Sequence, residues 1–373
     1  MALVLNEDQS FIQATAAEFC ASKAPVSAFR ALRDNPGPAG YDEDTWRAMV
    51  ELGWSGITLP EAVGGTDFGW QAMGTILEQT GRHLAASPLL SSVVLGASAL
   101  SLSENRALAE VVLPQVVDGT VRLALALEES PHHQPYGAAL TATASGDAVQ
   151  LKGEKRFVMD GGSAEQIIVV ARESGAPGDR DGLGLYLVPR EAGISAVAEK
   201  LADCRAYARL TIDATVPASQ RLGGAELLDA VLDRGRAALA AEMLGAAQAA
   251  FDQTIAYLKE RKQFGQVIGS FQALKHRAAD LFGEIELARS TVLDALSALD
   301  EGRDDAALAV SLAKAKMGEV LHAVSCEALQ MHGGIGMTDE FDIGFYMKRA
   351  RVQEALLGNQ AFHRSRYAAL AGY

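Results

Sequence analysis

The chain is short of cysteine, of basic charge and of long apolar runs. Cys20, Cys204 and Cys326 are its only cysteines and stand far apart. They offer neither metal-ligand spacing nor a disulfide framework, and such usage fits a reducing cytoplasm. Lys and Arg number 33 against 47 Asp and Glu, a net charge of -14. That balance argues against a broad polyanion-binding surface, so nucleic acid is not expected, although local cations can still grip the phosphates of a cofactor. No apolar run is long enough to span a bilayer. The N-terminal stretch MALVLNEDQSFI has no basic region followed by an apolar core, so it does not read as a secretory signal. Internal repeats and low-complexity segments are missing too.

What is there points to a multi-unit globular protein. The 373 residues, 49% hydrophobic and 21% charged, suffice for two or three packed units. Ala and Leu dominate the first and last thirds, which favours helix there. Residues 1–118 read as helices: NEDQSFIQATAAEFCA behind an Asn or Asp cap, DEDTWRAMVELGW with acids in its first turn, QAMGTILEQTGRHL, and a buried helical stretch from Ser87 to Leu102. Between 119 and 222 the texture becomes short runs rich in Val, Ile, Leu and Thr, among them VRLALALEES, AVQLKGEKRFVMD, EQIIVVAR and LGLYLVPR. They are separated by Gly-, Pro- and Asp-rich turns, the signature of a compact antiparallel β unit. Helical periodicity returns over 223–373, with long helices expected from about Leu227 to Lys259, Gln272 to Leu299 and Asp304 to Met331, and a last one after Asn359.

Two segments carry the chemistry. Residues 261–280 read RKQFGQVIGSFQALKHRAAD and residues 330–338 read QMHGGIGMT. In the first, Arg261 offers a planar fork suited to phosphate oxygens, Gln263 can donate and Phe264 can pack against a ring. In the second, Gly333 and Gly334 permit close backbone approach to an anion. Taken singly, each has a plainer explanation: a basic helix terminus, a glycine C-cap, and for His332 a satisfied core histidine.

Together these segments resemble the acyl-CoA dehydrogenase family, and the resemblance runs over nearly the whole chain, through LAKAKMGEVLHAVSCEALQ and FYMKRARVQEALLGN. It implies an α+β multi-domain fold with an N-terminal α-helical domain (1–118), a middle β-barrel domain (119–222) and a C-terminal four-helix-bundle domain (223–373). It implies FAD, held at Arg261, Gln263, Phe264, Gln272, Gln330, His332, Gly333, Gly334 and Asn359, with the first segment reaching the FAD of a neighbouring subunit. An oligomer is therefore implied, as are an acyl-CoA substrate, near Asp233 and Arg236, and electron-transfer flavoprotein as acceptor. An oxidase that passes electrons to oxygen stays open.

Three departures stand out. The threonine expected at the flavin edge is missing where Leu127 and Glu128 stand. The usual Trp-Ile-Thr strand that meets the flavin is Phe157-Val158-Met159; the resemblance still places Phe157 and Met159 at the cofactor, where Phe157 can cover a flavin face but Met159 has no proton to donate. The Tyr-Glu-Gly turn that carries the catalytic glutamate in common members reads Leu356-Leu357-Gly358, and the alternative glutamate position used by some relatives falls near Gly235. Two helical turns beyond Gly235 lies Glu242, the only charge in AALAAEMLGAAQAAF, with no ion partner at i±3 or i±4. It is the candidate base that removes the proton beside the thioester carbonyl, with Glu354 as runner-up; the plainer alternatives are a solvent stripe for Glu242 and a surface pair for Asp233 and Arg236. The Leu-Gly turn followed by Phe362, His363 and Arg364 resembles a bacterial subset acting on bulky thioesters such as steroid side chains. Some of these work as heteromeric pairs, so the chain can also be read as a non-catalytic partner subunit.

Overall fold

The computed structural model describes residues 4–373; Met1, Ala2 and Leu3, the start of the stretch read as lacking a secretory signal, lie outside them. The order of elements is helical, then stranded, then helical, so the molecule has helical N- and C-terminal parts and a central mixed sheet. By contact the chain divides into two compact units.

The bundle unit comprises the N-terminal segment through Arg30, Trp70–Ala85 and Arg236–Tyr373. Its helices are α1 (Glu7–Lys23), the first turn of α2 (Val26–Asp34), α4 (Gly69–Arg82), most of α7 (Ala225–Glu260), α8 (Gln272–Asp300), α9 (Ala306–His332), α10 (Ile343–Ala355) and α11 (Gln360–Leu370). Helix α1 begins in a reciprocal capping box: Asn6 Oδ1 accepts from Gln9 N at 2.8 Å and Gln9 Oε1 accepts from Asn6 N at 3.0 Å. From Ala237 to Ala247 every residue of α7 is buried, which suits a run of Ala, Leu, Met and Gly with a single charge. Small residues let α4 and α7 cross in backbone contact. A Cβ placed on Gly245 would sit 1.8 Å from Glu78 O, and one on Gly81 would sit 2.0 Å from Glu242 O.

The sheet unit comprises Ala31–Gly69 and Ala86–Gly235. It holds α3 (Glu43–Glu51), capped by Asp42, a π-helix over Leu89–Ala97, α5 (Ser98–Ser101) and α6 (Arg106–Val117). Its strands are β1 (Leu123–Ala126), β2 (Thr141–Ser145), β3 (Ala148–Met159), β4 (Gln166–Arg172), β5 (Leu183–Pro189), β6 (Ile194–Lys200), β7 (Ala206–Pro217) and β8 (Arg221–Gly223). They pair in the order β6-β7-β3-β2-β4-β5-β8, with β1 also on β4. Strand β4 is buried on both faces, whereas β7 alternates buried and exposed residues, as a half-covered strand should.

The sheet is mixed, which corrects the antiparallel expectation. Strand β1 runs parallel to β4, Leu123 opposite Gln166 through Ala126 opposite Val169. The β2–β3 hairpin is inserted between the two in sequence, so the chain re-enters beside β1 in the same direction. The stretch after Ser87 opens as a π-helix over Leu89–Ala97, and two of its serine hydroxyls are engaged. Ser91 Oγ donates to Asp160 Oδ2 at 2.5 Å and Ser92 Oγ accepts from Leu123 N at 2.9 Å.

Candidate functional site

Both chemistry-bearing segments of the bundle unit emerge at one end of it. Helix α7 stops at Glu260, and the chain makes a short hairpin, β9 (Lys262–Gln263) against β10 (Gln266–Val267). Phe264 (φ +53°) and Gly265 (φ +81°) supply the two left-handed residues that such a tight turn needs. Arg261, Gln263 and Phe264 are exposed, the phenylalanine ring to 91%, and Gln272 is exposed at the start of α8. One turn before Arg261, the Tyr257 ring stacks on His332, the last residue of α9, at 4.5 Å between centroids and 20° between planes. That stack joins the root of the hairpin to the root of the glycine bend.

His332 is itself a core residue, 3% exposed. Its Nδ1 lies 2.7 Å from Ala328 O, and because a carbonyl can only accept, Nδ1 carries the proton. Burial lowers its pKa, so the ring is neutral. The bend that follows is open: Gly333 takes φ +63°, ψ -143°, its N–H is tied to Gln330 O, and both Gly333 and Gly334 are exposed with no atom within 4 Å of a would-be Cβ. Gln330 is exposed beside them. An exposed guanidinium, an amide side chain, an unshielded aromatic ring and bare glycine backbone at one end of a bundle fit the phosphate and adenosine portion of FAD.

The family's catalytic turn is built differently here. Leu357 is buried and adopts φ +57°. Its carbonyl accepts from Arg236 Nε at 3.2 Å and from His363 Nε2 at 3.0 Å. Lys314 Nζ donates to Gln353 O, Glu354 O and Gly358 O at 3.1, 3.3 and 2.9 Å. Arg236, Lys314 and His363 are all buried. Burial, aided by the neighbouring cations, brings Lys314 down to about 7 and His363 down to about 2. The turn is thus clamped by basic side chains on its carbonyls. Asn359 spends its Oδ1 on Phe362 N at 2.9 Å, capping α11. Glu354 pairs with Arg351 and with His322, each at 3.2 Å.

Glu242 does not lie on a solvent stripe. It is 2% exposed, and its Oε1 meets Arg349 Nη1 at 3.3 Å, Arg349 being 1% exposed. The absence of an ion partner therefore holds only along α7. The partner comes from α10, 107 residues away in sequence, a relationship that no local pattern signals. The surface location in the alternative reading of Asp233 and Arg236 is likewise overturned, since both are buried.

In the sheet unit, Phe157 sits at the register shift of β3 with φ +52°. Its N–H donates to Glu199 Oε2 at 2.7 Å, and Arg156, also bonded to Glu199, lies over its ring at 4.7 Å. Met159 is buried. Glu128 is held by His133 at 2.5 Å, while the buried Lys155 donates to Leu127 O and to Glu129. At Leu127 and Met159 no side chain supplies a ring-edge hydrogen bond.

Among the described residues there is no cluster of side chains able to hold a metal ion, and no helix long and apolar enough to cross a membrane. Family models describe residues 6–120 as an acyl-CoA dehydrogenase N-terminal domain and residues 223–371 as its C-terminal domain. The chain is 32% identical to acyl-CoA dehydrogenase IpdE2 of Mycobacterium tuberculosis over 94% of its own length and 93% of the relative's. Among solved structures, it superimposes on the Tcur3481–Tcur3483 steroid ACAD variant with a TM-score of 0.89 at 34% identity, over 98% of both chains. It also superimposes on the ChsE4–ChsE5 complex from Mycobacterium tuberculosis, with a TM-score of 0.90 at 26% identity over the full length of both. The glycine bend, the hairpin at its side and the helical, stranded, helical order thus have one common explanation: the chain belongs to the acyl-CoA dehydrogenase family of flavin-dependent oxidoreductases.

Proposed function

We propose that the chain acts in the FAD-dependent conversion of an acyl-CoA thioester to its 2,3-enoyl-CoA, with Glu242 as the base. The observation that carries this reading is a buried carboxylate on an otherwise apolar face of α7, in a chain whose usual catalytic turn holds Leu357. Glu242 takes the proton from the carbon beside the thioester carbonyl, and the electron pair of that C–H bond becomes the second bond between the two carbons. FAD, when bound, accepts the hydride that leaves the adjacent carbon. Arg261, Gln263, Phe264, Gln272 and the Gly333–Gly334 backbone hold its phosphates and adenosine, and Phe157 gives an apolar surface on the sheet unit. Arg236 stiffens the Leu357 turn through its carbonyl, and with Asp233 it marks the substrate region. Similarity to a steroid ACAD supports a bulky, ring-bearing acyl group. Electron-transfer flavoprotein is the proposed acceptor and the cytoplasm the proposed compartment.

Dye reduction by the flavin-loaded protein with a panel of straight-chain and steroid acyl-CoA thioesters tests this. Glu242→Gln is expected to lower turnover by a factor of about 100 or more, the range for losing a general base, while flavin content is unchanged. Retained turnover refutes the assignment.

A second reading has its own support. The Arg349 partner of Glu242 is what a structural ion pair would have, and Met159 and Leu127 leave the flavin edge without a side-chain donor. On that reading the chain completes the site of a sister subunit, as part of an assembly like the two-chain relatives. Colourless, inert protein that gains flavin only on mixing with a co-purified partner would favour it.

A further inference from the structure

Strand β3 carries an ammonium where its pattern calls for an apolar side chain. Val149 and Leu151 point into the apolar core of the sheet, and by the two-residue period of a strand Lys155 follows them inward. Lys155 is 0% exposed. An ammonium at a core position is costly unless it is met by partners, so packing alone does not account for it.

Its partners lie at the exit of β1, in the same sheet unit. Lys155 Nζ donates to Leu127 O at 3.0 Å and to Glu129 Oε1 at 2.7 Å. Glu129 in turn accepts from Ala139 N at 2.9 Å and from Leu140 N at 3.0 Å, which fixes the returning end of the loop. Between the two anchors, Glu128 O accepts from Arg156 N at 2.7 Å. Three successive residues, Leu127, Glu128 and Glu129, are thus bound to Lys155 and Arg156. The binding comes immediately before the register shift of β3, where Phe157 takes φ +52°.

The resemblance to the family sets the polar edge of a flavin ring beside this segment. The side chains there have no donor to offer. Leu127 and Met159 have no N–H or O–H. The Glu128 carboxyl is engaged by His133 Nδ1 at 2.5 Å and Gln134 N at 3.4 Å, and that of Glu129 by Lys155, Ala139 and Leu140. A carboxylate accepts and does not donate. A ring edge at this place is left with main-chain N–H groups, and such a donor is aimed only as well as the chain that bears it is fixed.

We propose that Lys155 is the positioning residue for the flavin's ring edge: its ammonium holds the main chain of Leu127–Glu129 so that main-chain N–H groups, in place of side chains, meet the ring. This deepens, and rests on, the reading that FAD lies with its ring against the sheet unit. It gives a buried core lysine a task that it performs through the backbone it grips.

The test is flavin release on dilution of the flavin-loaded, full-length protein, with any co-purified partner present, together with the absorbance spectrum of the bound flavin. The proteins compared are wild type, Lys155→Met, Glu129→Gln and Tyr186→Phe. Lys155→Met should weaken FAD binding about tenfold or more, the loss expected when a hydrogen-bonded edge is no longer met. It should also blur the shoulder on the long-wavelength flavin band that marks a ring in fixed, water-poor surroundings. Glu129→Gln keeps the lysine but removes the charge it holds, and should move both readouts the same way by less. Tyr186→Phe deletes one buried hydrogen bond, to Glu173 at 2.6 Å, elsewhere in the same sheet. It should lower the melting temperature and leave both flavin readouts at their wild-type values. Wild-type affinity and band shape in Lys155→Met overturn the proposal, as they do in Glu129→Gln where Lys155→Met does not fold. Equal flavin loss in Tyr186→Phe at matched melting temperature overturns it too, because the lysine would then act only through stability. Failure of the underlying reading looks different: the wild type, with its partner, would hold no FAD at all.

Discussion

The Tyr257 ring lies flat against His332, 4.5 Å away, and so ties the end of α7 to the end of α9. Phe341 closes edge-on over both, at 5.9 and 5.6 Å. The Arg261 hairpin and the Gly333 bend therefore share one foundation, although some 70 residues of α8 and α9 separate them in sequence. Two substitutions separate the foundation from the contact. Tyr257→Leu should lower stability by about 1 kcal/mol, the worth of an aromatic pair beyond its area, and should loosen flavin binding with it. Arg261→Gln should leave the melting temperature of the flavin-free protein unchanged, because the side chain is exposed, and still reduce flavin retained through gel filtration. Equal retention in Arg261→Gln and wild type would remove Arg261 from the FAD site.

Gly333 and Gly358 both need glycine, for different reasons. At Gly333 a Cβ meets nothing within 4 Å, so Gly333→Ala pays only for the backbone (φ +63°, ψ -143°), about 1–3 kcal/mol. At Gly358 (φ +104°) a Cβ would strike Phe362 Cδ1 at 2.5 Å and His363 Nε2 at 2.8 Å. Gly358→Ala adds that clash to the backbone penalty and should be the more damaging of the two by denaturant unfolding. The opposite order would mean that the Leu357 turn is softer than its clamps imply.

The buried basic groups at that turn set a pH dependence with a definite sign. His363 titrates near 2 when folded against 6.5 for the free side chain. Between those values the unfolded chain binds a proton that the native chain does not, so this group makes stability fall as pH drops below about 6.5. Lys314, near 7 against 10.5, acts with the same sign at higher pH, its contribution rising from about 7 to 10.5. Asp160, raised to about 6 from 3.8, opposes His363 by holding a proton in the native state between those values. His363→Gln keeps an amide donor for Leu357 O and removes the titration. The melting-temperature gap between pH 7 and pH 5 should shrink in that variant, and an unchanged gap would place the acid sensitivity elsewhere.

Much of this was legible in the sequence because local chemistry decides it. Asn359 caps α11 as its position before a helical pattern suggests, and α7 runs Ala225–Glu260 where periodicity placed Leu227 to Lys259. The strand Ile194–Lys200 escaped notice because it is exposed along most of its length, leaving no apolar run to read. The parallel β1–β4 pairing and the π-helix over Leu89–Ala97 were hidden for another reason: neither strand direction nor helical pitch is written in residue type. The partner of Glu242 was equally invisible. Arg349 stood in a basic stretch that could be matched to the family, yet only the packing of α10 on α7 reveals which acid it meets.

The α4–α7 crossing yields the most demanding prediction. Gly245 lies against Glu78 O and Gly81 against Glu242 O, each with room for a hydrogen only. A methyl group at either site has to push two backbones apart, because the atom it meets is a carbonyl oxygen and not a flexible side-chain end. Gly245→Ala should therefore destabilise by about 3 kcal/mol or more, toward the upper end for overpacking, despite the better helix propensity of alanine. Gly81→Ala should behave alike and additionally displace the backbone of Glu242. If the crossing opens once to admit both methyls, the double variant will be less damaged than the sum of the singles, a non-additivity expected of neighbours that share one displacement. Chemical denaturation of the three variants measures this directly. Strict additivity would show that α4 and α7 yield independently at the two glycines. Loss of dye reduction in Gly81→Ala beyond that in Gly245→Ala, at matched stability, would tie the crossing to the carboxylate it supports.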